Sequence, residues 1–251
     1  MICVPIVAGT QAEALQEIEK SLPLADIIEL RMDLIRGGNL GKLISRVRSS
    51  PSPVKIMVTN RRKDEGTIQL SLGGDAGTVK PINELSAADE SQRIAILKEA
   101  VAHGADYVDV ELNISEDMRR ELLSMIGDHD NRTQLIISHH DFSKTPSARR
   151  LKEMFHESVK VGAGIVKIVT FARSPEDNLR VLSLIPYARR RKRAIIAFCM
   201  GEEGRISRVM APLLGSLLTF ASLQEGSESA AGQLTVGEIR EILRILRVKD
   251  G

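Results

Sequence analysis

The chain has 251 residues, with hydrophobic and charged fractions of 43% and 27% that are typical of globular proteins with a sizeable core. A near balance of 35 Lys+Arg against 33 Asp+Glu gives a formal charge of +2, which offers no general argument for binding nucleic acid or a membrane. Two cysteines cannot form a secreted disulfide framework, and no apolar run has the length of a signal peptide or a membrane span, so we expect a cytoplasmic protein.

Short runs rich in β-branched residues alternate with amphipathic segments along the chain. The predicted strands are Ile2–Val7, Asp26–Arg31, Val54–Thr59, Asp106–Leu112, Gln134–Ser138, Gly164–Thr170, Ala194–Cys199 and, more weakly, Ser216–Ala221. The predicted helices include Glu13–Lys20, Leu85–His103, Glu116–Ile126, Ser147–Val161, Pro175–Arg189 and Val236–Leu246. This alternation indicates parallel strands joined by right-handed crossovers.

Eight such units predict an α/β fold, a (β/α)8 TIM barrel that forms a single domain over residues 1–251. A doubly wound open sheet is the alternative, weakened because no Gly-x-Gly-x-x-Gly turn follows the first strand. Two connections are unusually long. Residues 66–83 hold two alternating runs around a glycine turn, which predicts an inserted hairpin, and the Gly-, Ser- and Ala-rich residues 224–233 predict a lid over the barrel mouth.

Lys167 lies in the middle of the predicted sixth strand, where five of the seven residues are β-branched. An ammonium group is costly in an apolar interior, and burial can lower a lysine pKa by up to about 3–5 units. A neutral, buried lysine amine is the nucleophile that forms Schiff bases with carbonyl compounds. The alternative is a lysine near a strand end whose head group reaches water or a carboxylate.

Polar residues follow several of the predicted strands, at the barrel end where active sites lie. Because side chains alternate along a strand, Glu29 and Arg31 share one face, and Asp109 and Glu111 share another. The second pair has an equally good explanation as an ion pair that fills the barrel interior. The third strand leads into Arg61, with Glu65 just beyond it.

The fifth strand leads into His139 and His140, and a histidine there can act as general acid and base. Adjacent strand residues point to opposite sides, so at most one of the two faces a site. Neither stands in a metal-ligand spacing, so no metal is expected. Arg208 begins a helix after the seventh strand, where its guanidinium would bind a carboxylate or simply belong to an ordinary helix start.

In combination these motifs resemble type I 3-dehydroquinate dehydratase, a Schiff-base family of the shikimate pathway, from Ile2 to Leu246. The matching segments are Glu29-Leu30-Arg31-Met32-Asp33, Arg61 with Glu65-Gly66, Ser138-His139-His140-Asp141-Phe142, the lysine strand Ile165–Val169, Glu203-Gly204-Arg205-Ile206-Ser207-Arg208, and Ser229 with Gly232-Gln233.

The resemblance implies that Lys167 forms an imine with the C3 ketone of 3-dehydroquinate, and that His140, oriented by Glu65, moves the C2 proton to the departing C1 hydroxyl. It also implies no metal, no cofactor and a homodimer. The residues that it implies for the substrate are Arg208 for the carboxylate, Glu29, Arg31, Arg61, Ser229 and Gln233 for the hydroxyls and closure, and Phe198, Met200 and Phe220 for the apolar walls.

Three positions depart from the family pattern. Thr67 replaces the second glycine of Glu-Gly-Gly, Pro5 stands where a hydroxyl residue is common, and His139 stands where asparagine is frequent. The first departure changes the turn after Glu65, and the second removes one possible substrate contact.

Two other functions remain open from the residues alone. A class I aldolase or transaldolase shares the fold and the lysine chemistry, but its phosphorylated substrates call for a glycine-rich phosphate site, for which Gly201 and Gly204 are weak support. A catalytically silent barrel that binds a small acid or a protein partner would tolerate Lys167→Met.

Overall fold

The computed structural model describes residues 1–62, 87–128 and 133–246, in which strands and helices alternate. The strands are β1 (Ile2–Ile6), β2 (Ile27–Arg31), β3 (Lys55–Thr59), β4 (Tyr107–Glu111), β5 (Gln134–Asp141), β6 (Ile165–Phe171), β7 (Ala194–Met200) and β8 (Thr219–Phe220). The helices in the described ranges are α1 (Gln11–Ser21), α2 (Leu40–Arg48), α3 (Ala87–Ala102), α4 (Glu116–Asp128), α5 (Ala148–Lys160), α6 (Pro175–Leu182), α7 (Leu184–Arg190), α8 (Arg205–Leu214) and α9 (Val236–Ile245). The hairpin predicted at residues 66–83 lies outside the described residues.

The eight strands form one parallel sheet in the order β7-β6-β5-β4-β3-β2-β1-β8. Next to the two edge strands, the backbone N–H of Leu217 donates to the carbonyl oxygen of Ile195 at 2.8 Å, so the sheet nearly closes on itself. This strand order confirms the predicted (β/α)8 barrel and excludes the doubly wound alternative.

Local sequence explains where several helices begin and end. The Thr10 hydroxyl accepts from the Glu13 backbone at the start of α1, and the Glu13 carboxylate accepts from the Thr10 backbone, which completes a capping box. One predicted helix, Pro175–Arg189, is in fact two, α6 and α7. Pro186 explains the break, because it has no N–H to donate and its ring would clash with the Leu182 carbonyl in a continuous helix.

Both faces of the sheet are buried. Side chains that point outward from the strands, such as Ile28, Val108 and Ile168, are 0% exposed beneath the helices. Because side chains alternate along a strand, those of the intervening residues point into the barrel interior. Toward the C-terminal strand ends, charged side chains replace apolar ones there. Within the described ranges, no helix is both long and apolar enough to span a membrane.

Candidate active site

A cavity opens at the C-terminal ends of the strands, and together with the open solvent at its mouth it encloses about 570 Å³. Its position is the one that active sites occupy in this fold. The residues that line it are Glu29, Arg31, Arg61, His140, Phe142, Lys167, Val169, Phe198, Met200, Arg208, Phe220, Ser229, Ala230 and Gln233. Every predicted site residue within the described ranges therefore lines one cavity, whereas Glu65 lies outside those ranges.

Lys167 is buried in the middle of β6, and its side chain points into the barrel. Its Nζ lies 2.7 Å from Oδ2 of Asp109 on β4 and 4.6 Å from the centre of the Phe220 ring. The resting protein therefore compensates the buried ammonium with a carboxylate, one of the two explanations that the sequence left open. The aromatic face adds a favourable cation–π contact.

Asp109 is itself held by two further groups. Its Oδ1 accepts from the Ser138 hydroxyl at 2.6 Å and lies 2.8 Å from Nη2 of Arg61. Burial alone raises the pKa of the Asp109 carboxyl, but the positive charges of Arg61 and Lys167 outweigh burial and hold that pKa well below its ordinary value. Asp109 is thus a carboxylate at neutral pH.

His140 is the member of the histidine pair that lines the cavity, as strand alternation predicts. In the β5–β6 register Ser138 lies opposite Lys167, so His140 stands two residues nearer the barrel mouth. Its ring is stacked on Phe142 with centroids 5.7 Å apart. Burial lowers the pKa of His140 well below its ordinary value, and the positive charges of Arg61 and Lys167 lower it further. The imidazole is therefore neutral at pH 7 and able to accept a proton.

Arg208, on α8, is 1% exposed and yet lines the cavity. Its Nη2 donates to the Ala231 carbonyl at 3.1 Å, and its guanidinium carbon lies 4.8 Å from the Phe198 ring centre. No carboxylate of the described residues forms an ion pair with it, and burial lowers its pKa to about 10. A buried cation that still carries its charge at pH 7 is suited to bind the carboxylate of a ligand.

On β2, both predicted polar residues have partners that hold their side chains. Glu29 accepts a hydrogen bond from the Thr59 hydroxyl at 2.6 Å. Arg31 makes two hydrogen bonds to Asp33, with Nε–Oδ1 at 3.0 Å and Nη2–Oδ2 at 2.6 Å. These contacts order the two side chains at the cavity wall before a ligand binds.

The connection between β8 and α9 covers one side of the cavity. Oε1 of Gln233 accepts from the backbone N–H of Ser229 at 2.7 Å, and Nε2 of Gln233 donates to the Ser229 hydroxyl at 3.0 Å. The Ala231 carbonyl accepts from the backbone N–H of Gly201 at 3.1 Å as well as from Arg208. The segment predicted as a lid is therefore tied to the β7–α8 turn.

Sequence reasoning missed three residues that line the cavity, namely Phe142, Val169 and Ala230. Strand alternation already implied Val169, which is two residues beyond Lys167. The sequence analysis also did not identify Asp109 as the partner of Lys167, although it proposed Asp109 as part of an interior ion pair. Among the described residues, no three His, Cys, Asp or Glu side chains are grouped as a metal site would require.

A lysine at the floor of one cavity, with a histidine and a buried arginine at its wall, places this chain among the (β/α)8-barrel enzymes that act on small anionic carbonyl compounds. The model of the type I 3-dehydroquinase family matches residues 2–250, and the chain belongs to that family.

Named relatives and solved structures agree with this assignment. The 3-dehydroquinate dehydratase of Methanococcus maripaludis strain C7 is 34% identical over 247 residues, covering 98% of this chain and 100% of that protein. The Methanocaldococcus jannaschii protein of the same name is 33% identical over 249 residues, which cover 99% of this chain and 100% of that protein. The type I 3-dehydroquinate dehydratase from Clostridium difficile was solved with covalently modified comenic acid. It superposes on this chain with a TM-score of 0.78 at 26% identity, and the match covers 98% of this chain and 91% of that protein.

Proposed function

We infer that this chain is a 3-dehydroquinate dehydratase, which converts 3-dehydroquinate to 3-dehydroshikimate in the shikimate pathway. The observation that carries this inference is the meeting of Lys167, His140 and Arg208 at one cavity of a barrel that belongs to the family. The family assignment favours the dehydratase over the aldolase alternative.

Lys167 is the nucleophile of this proposal. Its deprotonated amine adds to the C3 carbonyl, and loss of water from the adduct leaves an imine. The imine withdraws electrons from C2, so the C2 proton becomes acidic. The ion pair with Asp109 orients Nζ in the barrel interior before the substrate arrives.

His140 is the general base and then the general acid. It takes the C2 proton, and the C2–H electron pair moves toward the imine nitrogen to give an enamine. The enamine expels the C1 hydroxyl, which takes the same proton from His140 and leaves as water. Hydrolysis of the conjugated imine then releases 3-dehydroshikimate and restores the lysine.

The remaining residues hold the substrate. Arg208 binds its carboxylate, because it is a buried cation on the cavity wall without an acidic partner in the described residues. Glu29, Arg31, Arg61, Ser229 and Gln233 bind its hydroxyls, and Glu65 orients His140. The segment 224–233 closes as a lid over a single domain of residues 1–251.

Trapping the imine tests the proposal. The protein is incubated with 3-dehydroquinate, reduced with borohydride, digested and mapped by mass spectrometry, with Lys167→Met as the matched control. We expect a substrate-derived adduct on Lys167 that is absent from the control. A folded wild-type protein that gives no adduct would contradict the Schiff-base mechanism.

We also propose a homodimer. Leu179 on α6 and Ile206 on α8 are 70% and 58% exposed, on helices that pack against each other. Light scattering on a sizing column should give twice the chain mass of 27.6 kDa. Leu179→Asp with Ile206→Asp should give a monomer, and a monomeric wild type would contradict the proposal.

The buried thiols of Cys3 and Cys199 are free, which supports a reducing, cytoplasmic location. Cell fractionation tests this location, and recovery outside the cytoplasm would contradict it.

A further inference from the structure

Arg93 is a second deeply buried arginine, and it does not line the cavity. It lies on α3 with 6% exposure, and its Nη1 is 2.8 Å from Oε2 of Glu111 and donates to the Asn60 carbonyl at 2.7 Å. Nε and Nη2 bind the two Glu90 oxygens at 3.0 and 2.7 Å. Such a group cannot touch a substrate in the cavity, but it can act on the groups that do.

A continuous series of ion pairs connects Arg93 to the lysine. Glu111 meets Arg93 through one oxygen and Arg61 Nη1, at 3.3 Å, through the other. Arg61 Nη2 lies 2.8 Å from Asp109, which binds Lys167 at 2.7 Å. Positive and negative groups alternate along the whole series.

Arg61 is the shared member of the series, because two carboxylates compete for it. Its contact with Asp109 is shorter than its contact with Glu111, and Glu111 has Arg93 as a second cation. Without Arg93, Arg61 would be the one cation in the described ranges paired with the buried Glu111 carboxylate, which otherwise accepts from the Arg62 backbone N–H at 3.0 Å. Glu111 would then draw Arg61 away from Asp109. Asp109 would then keep the Ser138 hydroxyl and the Lys167 ammonium, without a competing cation, and would stabilise that ammonium more strongly.

We propose that Arg93 is a positioning residue for Lys167: by holding Glu111 it keeps Arg61 on Asp109 and so limits how strongly Asp109 retains the lysine ammonium. The proposal rests on the proposed function, in which Lys167 reacts as an amine. Charged and titratable groups of several elements in the described ranges surround Lys167 or line its cavity: Asp109 on β4, Arg61 after β3, His140 on β5, Glu29 and Arg31 on β2, Cys3 on β1 and Arg208 on α8.

The pH dependence of imine trapping by borohydride tests the proposal, together with the pH dependence of kcat/KM. In Arg93→Met we expect the pH of half-maximal trapping to rise by about one unit relative to wild type, because the ammonium is retained more strongly. Arg93→Lys keeps a cation beside Glu111, so its pH of half-maximal trapping should lie between those of wild type and Arg93→Met. A folded Arg93→Met protein with the wild-type pH profile would overturn the proposal.

Two further variants separate positioning from general structural support. The double variant Arg93→Met with Glu111→Gln removes the uncompensated carboxylate as well as the cation. It should therefore fold more readily than Arg93→Met and show the wild-type pH dependence of imine trapping. A displaced pH dependence in this double variant would overturn the proposal. Arg48→Met removes an ion pair with Asp106, 2.8 Å away, near the opposite barrel end. This variant should lower stability without changing the pH of half-maximal trapping. If that pH rose as much in Arg48→Met as in Arg93→Met, the effect of Arg93 would be general structural support and not positioning of Lys167.

Absence of trapping in wild type would contradict the proposed function itself, whereas normal wild-type trapping with an unmoved Arg93→Met profile contradicts only the role of Arg93.

Discussion

The Lys167 ammonium is stabilised in the resting barrel by Asp109, but the same carboxylate also serves Arg61 and Ser138. A carboxylate shared among three donors holds each of them less strongly than it would hold one alone. The arrangement therefore compensates the buried Lys167 charge with a carboxylate that is not committed to Lys167 alone. His140 lies two residues nearer the mouth, where burial lowers its pKa well below the ordinary value although Asp109 opposes that shift.

Replacing His140 with alanine should separate imine formation from elimination. We expect kcat to fall by about 10²- to 10⁴-fold, because general acid–base catalysis contributes that much, while borohydride still traps substrate on Lys167. His139→Ala is the matched control, since His139 does not line the cavity, and it should stay near wild type. Wild-type turnover in His140→Ala would remove this residue from the mechanism.

The pH dependence should reflect the lowered pKa of His140. Because the base must be neutral and its folded-state pKa lies below the ordinary 6.5, the acid limb that His140 contributes to kcat should lie below pH 6.5. Lys167 has already become the imine at that step, so its own proton does not enter this limb. Arg61 and Lys167 strengthen this shift, whereas Asp109 opposes it. A steady-state pH profile checks the expectation, and an acid limb assigned to His140 with its midpoint above 6.5 would contradict it.

At the scale of elements, hydrophobic period and strand propensity predicted all eight strands, mostly to within one or two residues. Two strands were exceptions. β5 continues three residues beyond the predicted end, to Asp141, and the predicted Ser216–Ala221 narrows to Thr219–Phe220, where pairing with β1 decides the extent. Helix α2 was not among the predicted segments, although its buried residues Leu40, Leu43, Ile44 and Val47 follow the helical spacing.

What the sequence could not supply was the pairing of charges across strands. Alternation places Asp109, Glu111 and Lys167 inside the barrel, but which carboxylate meets the lysine depends on the β4–β5–β6 register and on Arg61. Interior ion pairs also depend on residues such as Arg93 that come from a surrounding helix. These contacts are set by tertiary packing, which a single sequence does not specify.

The segment 224–233 offers a matched pair of glycines for testing the lid. Gly226 and Gly232 both have positive φ, at 83° and 75°, so alanine should cost about 1 kcal/mol of backbone strain at either position. A Cβ at Gly226 meets open space, whereas one at Gly232 would overlap the Gly201 carbonyl. Only Gly232→Ala should therefore displace the segment from Arg208.

We expect Gly232→Ala to raise KM by about 10-fold, equivalent to about 1.4 kcal/mol of lost binding, with Gly226→Ala close to wild type. Steady-state kinetics on the two variants measure the difference. Equal KM values would show that the contact between residues 201 and 232 has no part in closing the site.

For the whole molecule, the charged cavity floor is a departure from an apolar barrel core. Nearer the N-terminal strand ends the interior holds uncharged buried side chains such as Ile27, Met57, Tyr107 and Ile165, whereas Asp109, Glu111 and Lys167 bring buried charges to the floor. Buried ion pairs contribute little net stability because desolvation opposes their attraction. The series is therefore better explained by chemistry at the mouth than by the need to fold.

A double-mutant cycle on unfolding free energy tests that explanation. Asp109→Asn leaves the buried cations Lys167 and Arg61 without their shared carboxylate, and we expect a loss of about 3 kcal/mol. Lys167→Met should cost less, because Asp109 keeps Arg61 at 2.8 Å and Ser138 at 2.6 Å. The double variant should be more stable than the sum of the single losses predicts, by about 1–2 kcal/mol, since no lysine charge is then left unpaired. Urea unfolding at neutral pH measures each value; strictly additive losses would mean that the 2.7 Å contact carries no coupling and that Lys167 is held by packing alone.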